Sequence, residues 1–435
     1  MLRRLDLRGT GTADLRRRLP RPAAQTEPPV EEVRAVLAEV RERGDAALRD
    51  FAARYDGVEL DDLRVSPDEV ARALEEIPAD LRAALEVAHA NIAAYHTAQL
   101  GDEVVHRNGA VEVREVVRPV DRAGCYVPSA LAPLASTALM TVVPAKVAGV
   151  PEVVLVSPAR PDGSVPAGIL AAAALAGADE VYRVGGPAAI AALAFGTESI
   201  RPVDVIVGPG SARVAQAKRE VAGLGLVGVP SSFAGPSEVV VVADASTPPE
   251  LAAIDVVVQA EHGPDGLAWL VTWDESVAEA VVAEVERLVP ASPRREHLEA
   301  TLAEGGHAVV CDDPEQALAV ANAIAPEHLE LLVEDAAALV PLVRHAGAVF
   351  CGPMAPASIG DYVAGPNHVL PTFGSARFAG ALRVDDFRKH VHVVTVGEEG
   401  LAQVAPHVVA LAEYEGLPAH AESVRLRQAA ARGSA

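Results

Sequence analysis

The side chains best placed to do chemistry begin with Gln259-Ala-Glu-His-Gly-Pro-Asp265. The run from Pro249 to Val258 reads as an amphipathic helix leading into it, and Gly263-Pro264 stops that helix just beyond. Gln259 and His262 are three apart, so a helix puts both on one face, where they could reach the same metal ion. Glu261 points elsewhere. On its own His262 also suits a helix C-terminus, where an imidazolium complements the dipole. A second stretch, Gly360-Asp361-Tyr-Val-Ala-Gly-Pro-Asn-His368, sets an acid and a histidine in a glycine-framed loop after a strand, and loops of that kind carry sites. In Ala325-Pro-Glu327-His328 an acid and a base are neighbours at a helix-to-strand junction, an arrangement suited to moving protons. His420, in Glu415-Gly-Leu-Pro-Ala-His, lies just past a C-terminal helix. Gly208-Pro-Gly210 ends a strand ahead of a helix, where backbone amides attract anions, but it is not a dinucleotide fingerprint.

Something must hold these side chains in place, and the sequence points to parallel sheets wrapped by helices. Short valine-rich strands at 153–156, 180–184 and 203–207 alternate with alanine-rich helices, and a second such series starts at Glu238-Val-Val-Val-Val. The openings Glu152-Val-Val-Leu-Val and Glu238-Val-Val-Val-Val suggest two similar α/β units. The first fifth of the chain reads as helical, with Ser66-Pro-Asp-Glu69 supplying a cap, a proline at the first helical position and a capping-box acid. Alternating residues around Val111 to Val117 and from His390 to Val396 read as further strands. The last helices are too small for a core of their own, so they are expected to pack on another domain or subunit.

Composition narrows the partners. The chain has 435 residues, half of them hydrophobic but only 3% aromatic, so its cores are built mainly from Ala, Val and Leu. A formal net charge of −23 offers no basic footprint for nucleic acid or an anionic membrane, which leaves small molecules. The uncharged run from Gly124 to Ala145 is broken by Pro128, Pro133 and Pro144 and reads as a buried loop and helix rather than a membrane span. No secretory signal opens the chain, and Cys125, Cys311 and Cys351 are scattered without ligand spacing, so a cytoplasmic protein with reduced thiols is expected.

Taken together, several blocks resemble the zinc-dependent L-histidinol dehydrogenase family. They are Leu139-Met-Thr-Val-Val-Pro-Ala-Lys-Val-Ala-Gly-Val, Gly235-Pro-Ser-Glu-Val, the Gln259 motif, Ala325-Pro-Glu-His-Leu-Glu, the stretch from Gly360 through Thr372, and Glu415-Gly-Leu-Pro-Ala-His. The resemblance implies an α/β fold of two similar, incomplete Rossmann-like parallel-sheet domains with small helical extensions at both ends. It divides the chain into an N-terminal extension at 1–24, a domain at 25–125 and 238–382 with the metal and acid/base residues, a cofactor-side domain at 126–237, and a C-terminal domain at 383–435 packing on a partner subunit. It implies zinc bound by Gln259, His262, Asp361 and His420, the last from the other subunit of a homodimer. Glu327 and His328 become the acid/base pair. Substrate contacts fall on Ser136, Ser237, Gln259, His262, His328, Asp361, His368, Glu415 and His420. The implied reaction, part of histidine biosynthesis, is two successive oxidations by NAD, alcohol to aldehyde to acid.

The chain departs from that family on the cofactor side. Gly185-Gly-Pro-Ala188 stands where the family usually has Gly-Gly-Ala-Gln, and Gly208-Pro-Gly-Ser211 where it has Gly-Pro-Gly-Asn. Tyr126 is kept, so Tyr126, Ala188 and Ser211 are the expected NAD positions. These changes leave two alternatives open: a related enzyme oxidising another small polar alcohol with an altered NAD site, or a zinc-dependent hydrolase, since an acid, a base and a metal also suffice to activate water.

Overall fold

The computed structural model of this chain describes residues 1–20, 29–129, 132–230, 237–261 and 266–433. His262 and the Gly-Pro-Asp that follows it lie outside the described residues, as does Gly235-Pro236. The strands, in chain order, are β1 (Arg3–Asp6), β2 (Val104–Asn108), β3 (Val111–Pro119), β4 (Arg122–Tyr126), β5 (Glu152–Ser157), β6 (Glu180–Arg183), β7 (Val205–Val207), β8 (Glu238–Ala243), β9 (Leu267–Thr272), β10 (Gly306–Val310), β11 (His328–Leu332), β12 (Ala348–Cys351) and β13 (Arg388–Val396). The chain forms two units, one of Met1–Gln99 with Asp121–Phe387 and one of Leu100–Val120 with Arg388–Ala435.

The first unit holds two parallel sheets, ordered β1-β10-β9-β8-β11-β12 and β6-β5-β4-β7. Every residue of β8 and β9 is buried, as strands covered by helices on both faces must be. On one face of the larger sheet, helices Pro249–Ala260, Glu275–Leu288 and Arg295–Gly305 supply Ala252, Val256, Val281 and Leu298 to the core. On the other, helices Thr12–Arg18 and Pro314–Ile324 supply Leu15, Leu318 and Ala321. The uncharged run expected to be a buried loop and helix contains helix Ala135–Val147, buried from Thr137 through Ala145. Among the described residues no helix is long and apolar enough to cross a membrane. Cys125 and Cys311 are buried, whereas Cys351 is exposed.

Two features differ from the expected layout. The N-terminal segment is not only helical, because β1 joins the edge of the larger sheet in parallel with β10. Arg3-Arg-Leu-Asp is too short and too charged to show an alternating pattern, which suits an edge strand with one side toward solvent. Helices Val30–Arg43 and Asp45–Phe51, placed by the 25–125 boundary with the acid/base domain, instead share a core with helices Gly186–Phe195 and Ala212–Gly223 on the smaller sheet. An amphipathic stripe shows that a helix must be covered, but not by which sheet.

Local signals held where they were specific. Ser66 Oγ accepts from Glu69 N at 3.1 Å and Pro67 opens helix Pro67–Glu76. The Glu69 carboxylate turns outward to pair with Arg183 at 2.5 Å, tying that helix to β6. In the second unit, β13, β3 and β2 form an antiparallel sheet, and helices Glu398–Tyr414 and Pro418–Gly433 pack on each other.

Candidate active site

Glu327 and His328 sit at the amino edge of the six-stranded sheet, because His328 is the first residue of β11. The chain reaches them through Ala325, a non-glycine residue at φ 57° that ends helix Pro314–Ile324. Holding alanine in the left-handed region costs roughly 1 kcal/mol, a strain of the kind found where backbone geometry serves a site. The turn leaves both side chains buried, Glu327 at 7% and His328 at 3% exposure. Gly347 makes room beside them, since a Cβ there would stand 2.6 Å from the Glu327 carbonyl.

Glu238, the first residue of β8, holds the pair by its backbone. Its N–H donates to Glu327 Oε2 at 3.1 Å, and its carbonyl lies 3.3 Å from His328 Nδ1. A carbonyl can only accept, so Nδ1 carries a proton in either charge state, and Nε2 is the position that gains or loses one. That nitrogen is buried without a well-aligned hydrogen bond and stands 3.4 Å from Asp361 Oδ1. Asp361 belongs to the short helix Ala357–Tyr362 rather than to a loop.

Burial sets the electrostatics. It pushes the Glu327 carboxyl up to about 7, with Asp361 adding to the effect and His328, the Glu238 N–H and Ser237 opposing it. For His328 burial disfavours the charge, yet Glu327 and Asp361 outweigh it and bring the imidazole up to about 9. Both groups therefore exchange protons within reach of neutral pH, as acid/base catalysts do.

Gln259 is 1% exposed in the last turn of helix Pro249–Ala260. That helix follows β8 and leads back to β9, so its carboxyl end returns to the same sheet edge that carries Glu327 and His328. Helix carboxyl ends are partially negative, and with Asp361 and Glu327 this edge favours a cation. Gln259 and Asp361 supply the oxygen donors of the expected zinc set, and Asp361 Oδ1 stands 3.4 Å from His328 Nε2, so the residues fit a metal. Among the described residues no group of three or more His, Cys, Asp and Glu side chains could itself hold an ion; His262 lies outside them, and His420 is an exposed residue of the second unit. Glu415 is exposed in that unit too.

The carboxyl edge of the four-stranded sheet has the opposite character. Tyr126 ends β4, and its hydroxyl accepts from Gly186 N at 3.2 Å. Helices Gly186–Phe195 and Ala212–Gly223 both begin at this edge, and Ser211 caps the second by accepting from Val214 N. Ala188, Ser211 and Arg213 line a cavity of about 320 Å³ together with Gly185 and Gly186. β4 and β7 are neighbours where the strand order reverses, the place where open parallel sheets bind ligands. Gly208 at the end of β7 has φ 104°, and a Cβ there would stand 2.1 Å from the Tyr126 carbonyl. Amino ends of helices favour anions, so this edge suits the phosphates of a nucleotide.

The two edges meet at His368. Its Nδ1 lies 2.9 Å from the Asp361 carbonyl and its Nε2 3.1 Å from Thr137 Oγ1. The helix that carries Thr137 and its neighbour Ser136 follows β4. Asn367 reinforces the junction by donating to the Met140 carbonyl at 2.6 Å. Ser237 stands just before β8 and donates to Glu327. Sequence reading missed Glu238, Thr137, Asn367 and the buried pair Asp255 and Glu330. A signal existed for the acids, since Glu238, Asp255 and Glu330 each interrupt or head an otherwise apolar run.

Comparison with known proteins gives the family and the fold. A model of the histidinol dehydrogenase family matches residues 19–428. A histidinol dehydrogenase of a Synechococcus species is 49% identical over 91% of this chain and 91% of its own length. One from Parasynechococcus marenigrum is 47% identical over 91% and 90%. The crystal structure of histidinol dehydrogenase from Elizabethkingia anophelis superposes with a TM-score of 0.94 at 33% identity, covering 99% of both chains.

Proposed function

Since the chain belongs to the histidinol dehydrogenase family, and is thereby an oxidoreductase acting on a small molecule, we propose that it oxidises histidinol to histidine in two NAD-dependent steps at the amino edge of the six-stranded sheet. The observation that carries this reading is the buried Glu327–His328 pair with Asp361 3.4 Å from His328 Nε2. His328 Nε2 takes the hydroxyl proton as the carbinol carbon gives up its hydride, leaving the aldehyde. Glu327 then removes a proton from the water that adds to the aldehyde while His328 returns its proton to the carbonyl oxygen, and the hydrate loses the second hydride as His328 takes the hydroxyl proton, giving the acid. Each hydride leaves on its own NAD, which is reduced to NADH. Burial of both residues keeps bulk water from the aldehyde between the steps.

Gln259, His262 and Asp361, with His420 of the partner subunit, are the residues we assign to zinc, whose chemistry when bound is to anchor the substrate's imidazole and amino nitrogens. Ser136, Ser237, His368 and Glu415 are assigned to the substrate, and Tyr126, Ala188 and Ser211 to NAD. A homodimer is supported by the second unit, which leaves the large apolar side chains Val104, Val105, Val394, Leu411 and Tyr414 exposed. The test is NADH formation from histidinol by the zinc-loaded protein, with and without a chelator. The reading predicts chelator-sensitive formation of two NADH per histidinol; no NADH at saturating NAD would sink it. Replacing His420 with alanine is expected to release zinc and abolish turnover while leaving the circular-dichroism spectrum unchanged.

A further inference from the structure

Behind the acid/base pair lies a second pair of acids that the reaction does not use. Glu330 is two residues beyond His328 on β11, so strand alternation turns both side chains to one face. Asp255 is four residues before Gln259 and shares its helix face. Both acids are buried, Glu330 at 1% and Asp255 at 8% exposure, and their carboxyl groups hydrogen-bond each other. Glu330 Oε1 also accepts from Ala357 N at 2.8 Å, the first N–H of helix Ala357–Tyr362, which carries Asp361 one turn later.

Two carboxylates offer only acceptors, so this contact needs a proton between them. Among the described residues Glu330 Oε2 is buried with no N–H or hydroxyl donor, and the Asp255 carboxyl is the group that faces Glu330. Burial and the facing Asp255 both hold the Glu330 carboxyl well above the usual carboxylate range, so Glu330 is the donor. One neutral acid thereby joins three elements: the helix that ends in Gln259, the strand that starts at His328, and the helix that presents Asp361.

We propose that Glu330, buried between Asp255 and the Ala357 N–H, is a positioning residue that fixes the spacing of Gln259, His328 and Asp361 and so sets metal retention and substrate binding at this site. The proposal rests on the functional reading above for what the site holds. It adds a residue that touches neither metal nor substrate. A pair of this kind specifies geometry because lengthening either bond strands a buried polar atom.

The experiment compares wild type with Glu330→Met, which removes both bonds, and Glu330→Gln, whose amide can still donate to Asp255 while its carbonyl accepts from Ala357 N. Zinc loss to a chelator, KM and kcat for histidinol, and NADH binding by fluorescence are measured. Loss of a buried partner behind a metal site typically weakens it about tenfold to a hundredfold, so Glu330→Met should lose zinc faster by that factor and raise KM more than it lowers kcat. NADH binding should be unchanged, and Glu330→Gln should match wild type throughout. Wild-type zinc retention by Glu330→Met, or equal damage from Glu330→Gln, overturns the proposal. Should Glu330→Met not fold, Asp255→Ala is expected to lose zinc in the same way, and its retention of zinc counts equally against the pair. A readout independent of metal separates this from the functional reading. The infrared carbonyl band of a protonated acid, present in the metal-free wild type at mildly alkaline pH, should vanish in Glu330→Gln. Its absence from the difference spectrum defeats the proton-sharing pair, whereas a wild type that binds no zinc and oxidises no histidinol defeats only the functional reading.

Discussion

Glu238 gives the sharpest test of how burial governs this edge of the sheet. Its side chain is 2% exposed, and one oxygen, Oε2, is buried without a hydrogen bond. Its carboxyl is met by the N–H groups of Glu327, Phe373 and Gly374, the last two in consecutive left-handed conformations at φ 56° and 73°. Arg16 and Arg377 line the cavity beside it, but Arg377 donates to the Gly374 and Ala323 carbonyls. Burial, with Glu327 adding to it, pushes the Glu238 carboxyl from 4.5 up to about 8. The folded state therefore binds a proton between these values that the unfolded chain has released. Stability must fall as pH rises through that window and level off above it. A gap of about 3.5 pH units at about 1.4 kcal/mol each sets a ceiling of about 5 kcal/mol. Relaxation and water entry reduce it, so the expected gain from Glu238→Gln is about 2–3 kcal/mol at high pH. Near pH 5 the change should be close to zero, because a protonated acid and an amide leave the same kind of polar group without a partner. The assay is urea unfolding of both proteins from about pH 5 to about pH 9, comparing midpoints at each pH. Parallel pH profiles, with no gain for the variant on the alkaline side, would refute the reasoning.

Three further outcomes are expected. Glu327→Gln should slow oxidation of the aldehyde about a hundredfold to ten-thousandfold and oxidation of the alcohol much less, measured with each substrate separately; equal losses would remove Glu327 from the water step. Ala188→Gln should tighten NADH binding about twofold to tenfold in a fluorescence titration, since a new hydrogen bond from the cavity wall is worth about 0.5–1.5 kcal/mol; unchanged or weaker binding would argue that the cofactor does not lie there. Arg122, 7% exposed at its side chain, bridges Glu152 at 2.6 Å and also pairs with Glu180. Arg122→Ala should cost about 1–3 kcal/mol in chemical denaturation, at the low end for a buried pair because Glu180 keeps Tyr182 Oη at 3.2 Å; no measurable loss would show that the bridge is solvated.

The parallel sheets were legible because valine runs alternating with alanine-rich helices have few other ways to pack, and β5 and β8 fall on those runs. Glu327 and His328 were legible because an acid beside a base at a helix-to-strand turn is an unusual local event. Asp361 was found as a residue but not as part of a helix, since Ala357–Tyr362 is too short to show a period. The destination of helix Val30–Arg43 was not legible at all. Its stripe of Val33, Leu37 and Val40 would suit either sheet, and only long-range packing with Ile190 and Val221 decides. Asp255 and Glu330 were passed over for a related reason. Each is a single acid in an apolar run, and what makes the two a pair is the 74 residues between them folding back to bring them together.

The same physics explains why the chemistry divides between two sheet edges rather than collecting on one. In a parallel sheet every covering helix runs back against the strands, so the carboxyl edge gathers helix amino ends and the amino edge gathers helix carboxyl ends. A phosphate is stabilised at the first and a cation at the second. A reaction that needs both a nucleotide and a metal therefore gains by using opposite edges of two sheets, provided the edges are brought together. Here Thr137, on the helix that follows β4, reaches His368, and His368 reaches the Asp361 carbonyl at 2.9 Å, so a single hydrogen-bonded chain joins the edge suited to NAD to the edge that carries Glu327 and His328. The ring of His368 makes that junction directional: Nδ1 donates to a carbonyl, and in the neutral ring Nε2 accepts from Thr137. On this argument His368→Phe, which keeps the ring but neither hydrogen bond, should uncouple the edges. NADH binding and zinc retention should each persist while hydride transfer slows even at saturating histidinol, where a lost substrate contact alone would raise only KM. Equal turnover in that variant would show that the alignment of the two sheets is set elsewhere.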